Sequence, residues 1–174
     1  MKEDGGLAET KWDTRDVERL YQRYGPALVA FARSFLPDAA AAEDAVHGVF
    51  TGLLRGNVTA PESEASYLYR AVKNAALNLR RLGARTRALS GDVSWFTHPG
   101  GDTEEALALE KALGELPDEQ REVVMMRIWS GMTLEEIGAA TGVPPNTAAS
   151  RYRYALEKLR AELGARISKK VSTP

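Results

Sequence analysis

Between Thr133 and Leu159 the sequence TLEEIGAATGVPPNTAASRYRYALEKL leaves few ways to fold. Thr133 is placed to cap a helix, and Glu136, three residues on, completes a capping box. Leu134, Ile137 and Gly138 fall on an inward side at helical spacing. Gly142 then supplies the turn, because glycine enters the left-handed region without steric cost. Gly138, four residues earlier, leaves room for a second helix to cross closely. Pro144 and Pro145 cannot continue a helix but can begin one. From Asn146 onward Ala148, Tyr152, Ala155, Leu156 and Leu159 recur with helical period. Ser150, Arg153 and Tyr154 are left on the outer face, with Arg151 near its edge. A short helix, a glycine turn and a second helix with a polar, basic outer face make a helix-turn-helix, whose second helix fits the major groove of DNA. The same pattern also suits a helical hairpin packed in a bundle.

The 174 residues suffice for one domain or two small ones. The chain has no cysteine, which rules out a disulfide framework and thiolate chemistry. Its two histidines, His47 and His98, are far apart, so neither metal ligation nor histidine acid–base work is expected, and no cofactor. No apolar run approaches the length of a membrane span, and the start MKEDGG does not read as a signal peptide. The expectation is a soluble, cytoplasmic protein with no membrane partner.

A net charge of −1 conceals strong segregation. From Ser66 to Ser90 there are six basic residues (Arg70, Lys73, Arg80, Arg81, Arg85 and Arg87) and no acid. From Thr141 to Lys170 there are seven basic residues against Glu157 and Glu162. An acidic stretch, Asp92 to Glu122, separates them. Two basic segments so placed suggest two separate contacts with a polyanion, the bland reading being solvated helix faces.

Taken in order, Met1 to Asp13 reads as a tail. Thr14 is placed to cap a helix carrying Val17, Leu20, Tyr21 and Tyr24, which Gly25-Pro26 should interrupt before Leu28, Phe31 and Phe35 continue the stripe. Asp38 opens the next helix, with Val46, Val49, Phe50, Leu53 and Leu54 as its buried face. Glu43 and Asp44 point in different directions from that helix, a poor acid–base pair but a plausible protein-contact surface. After a polar loop, Ser63 or Ser66 starts a helix in which Leu68, Val72, Ala75, Leu79 and Leu82 can face the core. Its bases, its amides Asn74 and Asn78, and the rings of Tyr67 and Tyr69 together suit single-stranded nucleic acid.

Ser90 to Thr103, with Trp95 and Phe96 within it, reads as a linker. The fold class expected is all-α: two small helical domains, residues 14–89 and 103–166, joined by a flexible linker over 90–102, the second domain a helix-turn-helix. In that second domain Thr103 caps a helix with Leu107, Leu109, Ala112, Leu113 and Leu116 as its apolar face. Pro117 begins another, with Val123, Val124, Met126, Ile128 and Trp129 as core and the methionine pair as filling. The tail after Leu163 should fray.

These segments, in this order, resemble the sigma-70 family of RNA polymerase sigma factors, in its small extracytoplasmic-function group. LYQRYGPALVAFARSFL, AAEDAVHGVF and YLYRAVKNAALNLRR are similar to the family's core domain, and LPDEQREVVMMRIWSGMTLEEIGAATGVPPNTAASRYRYALEKLR to its C-terminal DNA-binding domain. The resemblance implies a polymerase subunit directing promoter recognition and transcription initiation, with no catalytic residues of its own. Its partners would be the RNA polymerase core and promoter DNA, single-stranded at the downstream element and duplex at the upstream one, and in many relatives an anti-sigma factor. Glu43, Asp44 and His47 would then contact polymerase. Arg70, Lys73, Asn74, Asn78, Arg80 and Arg81 would hold the downstream strand, Asn74 helping to capture a flipped base. Thr147, Ser150, Arg151, Arg153 and Tyr154 would meet the upstream duplex.

Some positions depart from the family pattern. His47-Gly48 stands where a glutamine and an acid are usual, Ala149 where a base is common, and Tyr154 where an arginine is common. The loop before Tyr67 lacks an aromatic residue often found there. The alternative is a stand-alone helix-turn-helix regulator, which leaves the N-terminal basic helix without a purpose.

Overall fold

The structure, a computed structural model, describes residues 12–36, 38–56, 63–84 and 104–171, with Ala84 and 165–171 described by backbone alone. Seven helices, and no strand, lie among the described residues: α1 Thr14–Arg33, α2 Ala39–Leu54, α3 Glu64–Ala84, α4 Glu104–Gly114, α5 Asp118–Ser130, α6 Leu134–Thr141 and α7 Pro145–Val171. The expected linker, with Trp95 and Phe96, and the capping residue Thr103 lie outside the described residues, as do Arg85 and Arg87.

In the N-terminal unit α1, α2 and α3 pack on one another around Leu20, Leu28, Phe31, Val46, Leu53, Leu68 and Val72. The α1 cap is Asp13, not Thr14: its side chain accepts from the Asp16 N–H, and Asp16 reaches back to the Asp13 N–H. A carboxylate in the capping position also meets the positive end of the helix dipole. Nor does Gly25-Pro26 break α1, which runs straight through Pro26. A mid-helix proline costs about 3 kcal/mol. Here Leu20, Tyr24, Leu28 and Phe31 are all buried on one stripe spanning it, and their packing outweighs that cost. Asp38 caps α2 as expected, accepting from the Ala40 N–H at 3.2 Å.

In the C-terminal unit α7 packs against α4, α5 and α6. Thr133 and Glu136 form the expected capping box, and Gly142 closes α6 at φ 75°. Gly131 ends α5 at φ 62°, where Arg127 clamps the turn by donating to the Met132 carbonyl at 2.6 Å. Arg121 does the same for the α4–α5 turn, donating to the Gly114 and Leu116 carbonyls. Helix α7 continues as backbone to Val171, past Leu163.

The two units share a core. Val123, Met125, Met126, Met132, Ile137, Ala140 and Ala148 belong to the same buried cluster as α1, α2 and α3. Helix α3 packs on α6, and α1 on α5. Helix α5 is therefore buried on every side from Arg121 to Met126.

Candidate nucleic-acid interface

At 3.6 residues per turn, Arg70, Lys73, Asn74, Asn78, Arg80 and Arg81 fall on one side of α3, opposite buried Leu68, Val72 and Ala76. Arg70, Asn74, Asn78, Arg80 and Arg81 are exposed. Asn74, Leu77, Asn78, Arg80 and Arg81 line an open cleft of about 610 Å³, in which Arg81 donates to the Asn78 side-chain oxygen. The cleft combines amides that can read base edges, guanidinium groups that suit phosphate, and an apolar floor.

Two residues of α3 depart from the expected arrangement. Tyr69 is fully buried, stacked edge-on against Phe31 and hydrogen-bonded to the Ser130 hydroxyl, so it offers no ring to a base. Burial, only partly offset by the Ser130 hydrogen bond, pushes its phenol up to about 12. Lys73 is turned to α5, with its Nζ 2.5 Å from Glu122 Oε2. Arg80 likewise meets Asp118 at 3.4 Å. Tyr67 is half-buried.

On α7, Ala148 and Ala155 are fully buried and Leu159 nearly so, while Arg153 and Tyr154 are exposed. The Arg153 guanidinium lies over the Tyr154 ring, 5.0 Å from its centroid, which restricts an otherwise free side chain. Ser150 donates to the Asn146 carbonyl at 3.0 Å, which leaves its hydroxyl oxygen able to accept a hydrogen bond. Thr147 and Arg151 are half-buried at the edge of this face. Glu43, Asp44 and His47 are all exposed on α2, away from buried Ala42, Ala45, Val46 and Phe50. Among the described residues no group of three or more His, Cys, Asp or Glu could hold a metal ion. No described helix is long and apolar enough to cross a membrane.

A helical protein that presents one cleft of cations and amides, and a separate helix-turn-helix with a basic outer face, is built to grip nucleic acid at two places. Residues 20–86 match the family described as Sigma-70 region 2, and residues 112–161 match Sigma-70, region 4. The chain is 29% identical over 160 residues to the ECF RNA polymerase sigma factor SigM of Mycobacterium tuberculosis, covering 90% of this chain and 82% of that protein. It is 30% identical over 148 residues to the RNA polymerase sigma-E factor of Streptomyces avermitilis, covering 80% of each. The sigma factor RpoE of Bartonella quintana, solved in complex with the anti-sigma factor NepR, has the same fold: TM-score 0.71 over 86% of this chain and 98% of that one, at 23% identity. The chain belongs to the sigma-70 family of RNA polymerase sigma factors, in its extracytoplasmic-function group, and directs promoter recognition and transcription initiation. Nothing favours the stand-alone regulator.

Proposed function

We propose a division of labour among three surfaces. Glu43, Asp44 and His47 on α2 dock on the polymerase core. The α3 face of Arg70, Lys73, Asn74, Asn78, Arg80 and Arg81 holds the downstream promoter strand once it is single. Thr147, Ser150, Arg151, Arg153 and Tyr154 on α7 meet the upstream element as duplex, Arg153 as the base reader and Arg151 as a phosphate contact. The observation that carries this reading is the clustering of cations and amides on one side of α3, lining one cleft. In this reading residues 14–89 and 103–166 act as two domains joined through 90–102. The protein works in the cytoplasm, brings no catalytic group or cofactor of its own, and is a candidate for restraint by an anti-sigma factor, as the Bartonella quintana relative is bound by NepR.

The test is run-off transcription by core polymerase on a genomic fragment library, with and without this protein. Specific transcripts that require the chain support the reading. Duplex binding by the chain alone, with no core-dependent transcript from any fragment, would leave it a simple DNA-binding protein.

A further inference from the structure

With α7 read as the helix that meets the upstream duplex and Arg153 as its base reader, the way Arg153 is held decides what it can read. Helical spacing puts Asn146, Ser150, Arg153, Tyr154 and Glu157 on the face opposite buried Ala148, Ala155 and Leu159. Glu157, four residues beyond Arg153 on that face, is the carboxylate an arginine there would ordinarily pair with. The pair does not form. Arg153 has no ion pair among the described residues, and its guanidinium lies over the Tyr154 ring, 5.0 Å from the centroid. Arg23 lies over Tyr24 on α1 in the same way, at 5.1 Å, so an Arg-Tyr step on a helix makes this contact locally. On α1 the ring is buried in the core; on α7 both partners are exposed.

The ring in place of the carboxylate has a chemical result. A carboxylate would accept from the guanidinium N–H groups and offset its charge, and a base would have to displace it. A ring face attracts the cation through its quadrupole and leaves the five N–H donors without a competing acceptor. It also restricts a long side chain whose rotamer freedom would otherwise be lost on binding. A free and pre-ordered fork of donors suits guanine, whose O6 and N7 both accept in the major groove.

We propose that Tyr154 is a positioning residue for promoter reading: its ring holds Arg153 toward one guanine-bearing base pair of the upstream element. Tyr154 acts there through Arg153, by its ring and not by its hydroxyl. The preference for guanine at that pair thus depends on a residue that does not itself read it. The inference rests on the assignment of α7 to the upstream duplex.

The variants are Arg153→Ala, Tyr154→Leu and Tyr154→Phe. Both positions are exposed, so helical content should be unchanged in all three. The probe is a promoter fragment from which core polymerase with the unaltered chain makes a transcript, its upstream base pairs substituted one at a time. Binding is measured with the holoenzyme. Arg153→Ala should abolish a guanine preference at one base pair. Tyr154→Leu should weaken the preference at that same pair about five-fold and leave the other pairs as they were. Tyr154→Phe, which keeps the ring, should retain it. In the free chain, nuclear magnetic resonance should find the Arg153 side-chain protons shifted upfield by the ring, a shift lost in Tyr154→Leu and kept in Tyr154→Phe. Four results would overturn the proposal: no such shift in the unaltered chain, an unchanged guanine preference in Tyr154→Leu, an equal loss at every base pair, or a loss in Tyr154→Phe as large as in Tyr154→Leu. Absence of core-dependent transcription by the unaltered chain would overturn the sigma reading itself, and the proposal with it, so the two failures are distinguishable.

Discussion

Gly138 lies so close to Val143 that a Cβ at residue 138 would stand 2.7 Å from the Val143 carbonyl oxygen. The same hypothetical atom would meet the Pro145 nitrogen at 3.4 Å. Both obstacles are backbone, which cannot swing aside as a side chain does. The Gly142 and Val143 N–H groups also both donate to the Gly138 carbonyl, so this residue anchors the turn. Gly138→Ala should therefore cost about 1–3 kcal/mol through overpacking, where the same change in an open helix would be favourable. Urea denaturation measures it. An unchanged midpoint would mean that the turn relaxes freely.

Tyr69 joins the two units through its hydroxyl, which is bonded to Ser130 while its ring packs on Phe31. Tyr69→Phe keeps the ring and should cost about 0.5–1.5 kcal/mol. The pH dependence follows from burial, which holds the phenol neutral up to about 12, above its ordinary 10.0. The folded state keeps this proton longer than the unfolded one. Its contribution is present in full below the ordinary value and is lost as pH rises through the folded one. Thermal unfolding should show a loss of stability in alkali between those limits, smaller in Tyr69→Phe. Equal alkaline losses in both proteins would contradict this.

The turns and the apolar stripes were legible in the residues because they depend on local chemistry. Thr133 with Glu136, Gly142 and Asp38 act where their side chains or their freedom of φ dictate. What escaped is what depends on the neighbouring unit. Tyr69 reads as an aromatic for a base, but α5 and α1 enclose it. Ile128 reads as core by periodicity, yet the cover around α5 ends at Met126 and Ile128 is 54% exposed. Leu54 and Leu82 stand near the ends of α2 and α3, and both are exposed. Sequence spacing places the site's cations on one face of α3, but it carries no sign that Lys73 and Arg80 face carboxylates more than thirty residues away.

Buried Glu122 makes the fold less stable at higher pH than in acid. Burial raises its carboxyl above 4.5, more than Lys73 and Arg151 lower it, and Glu119 adds to the rise. The folded chain thus binds this proton more readily than the unfolded chain. The stability it contributes is complete below 4.5 and declines as pH rises through the folded value. Glu122→Gln keeps the shape without the charge. Its melting temperature relative to the unaltered chain should rise from about pH 5 to about pH 8. A difference that is flat with pH, or that falls, would show that Lys73 compensates the burial completely.

Glu43 and Asp44 are exposed on α2, and its core residues Ala42, Ala45 and Val46 point elsewhere. Glu43→Lys with Asp44→Lys should therefore leave helical content and thermal stability within about 0.5 kcal/mol. Affinity for core polymerase should fall, with a steeper loss at low salt, where the new repulsion is least screened. Unchanged affinity would remove these carboxylates from the docking surface.

Strand separation is the demanding step, because unstacking each base costs a few kcal/mol and something must hold what has been unstacked. The α3 cleft offers two kinds of grip. Asn74 presents both a donor and an acceptor from an exposed position, so it can read a base edge. Arg80 and Arg81 offer charge to phosphates, without selectivity. Asn74→Ala should therefore cost about 1–3 kcal/mol in open-complex formation, with upstream duplex binding by the C-terminal unit nearly unchanged. Arg80→Ala with Arg81→Ala should produce a similar loss by a different route. On a promoter with a premelted bubble the arginine variant should recover in part, since the strand is already unpaired. The Asn74 variant should recover less, because the base must still be captured. Permanganate reactivity of promoter thymines, read beside run-off yield, separates the two. Normal reactivity in both variants would reduce this face of α3 to a solvated surface, and equal rescue of both would show that Asn74 follows the backbone and reads no base.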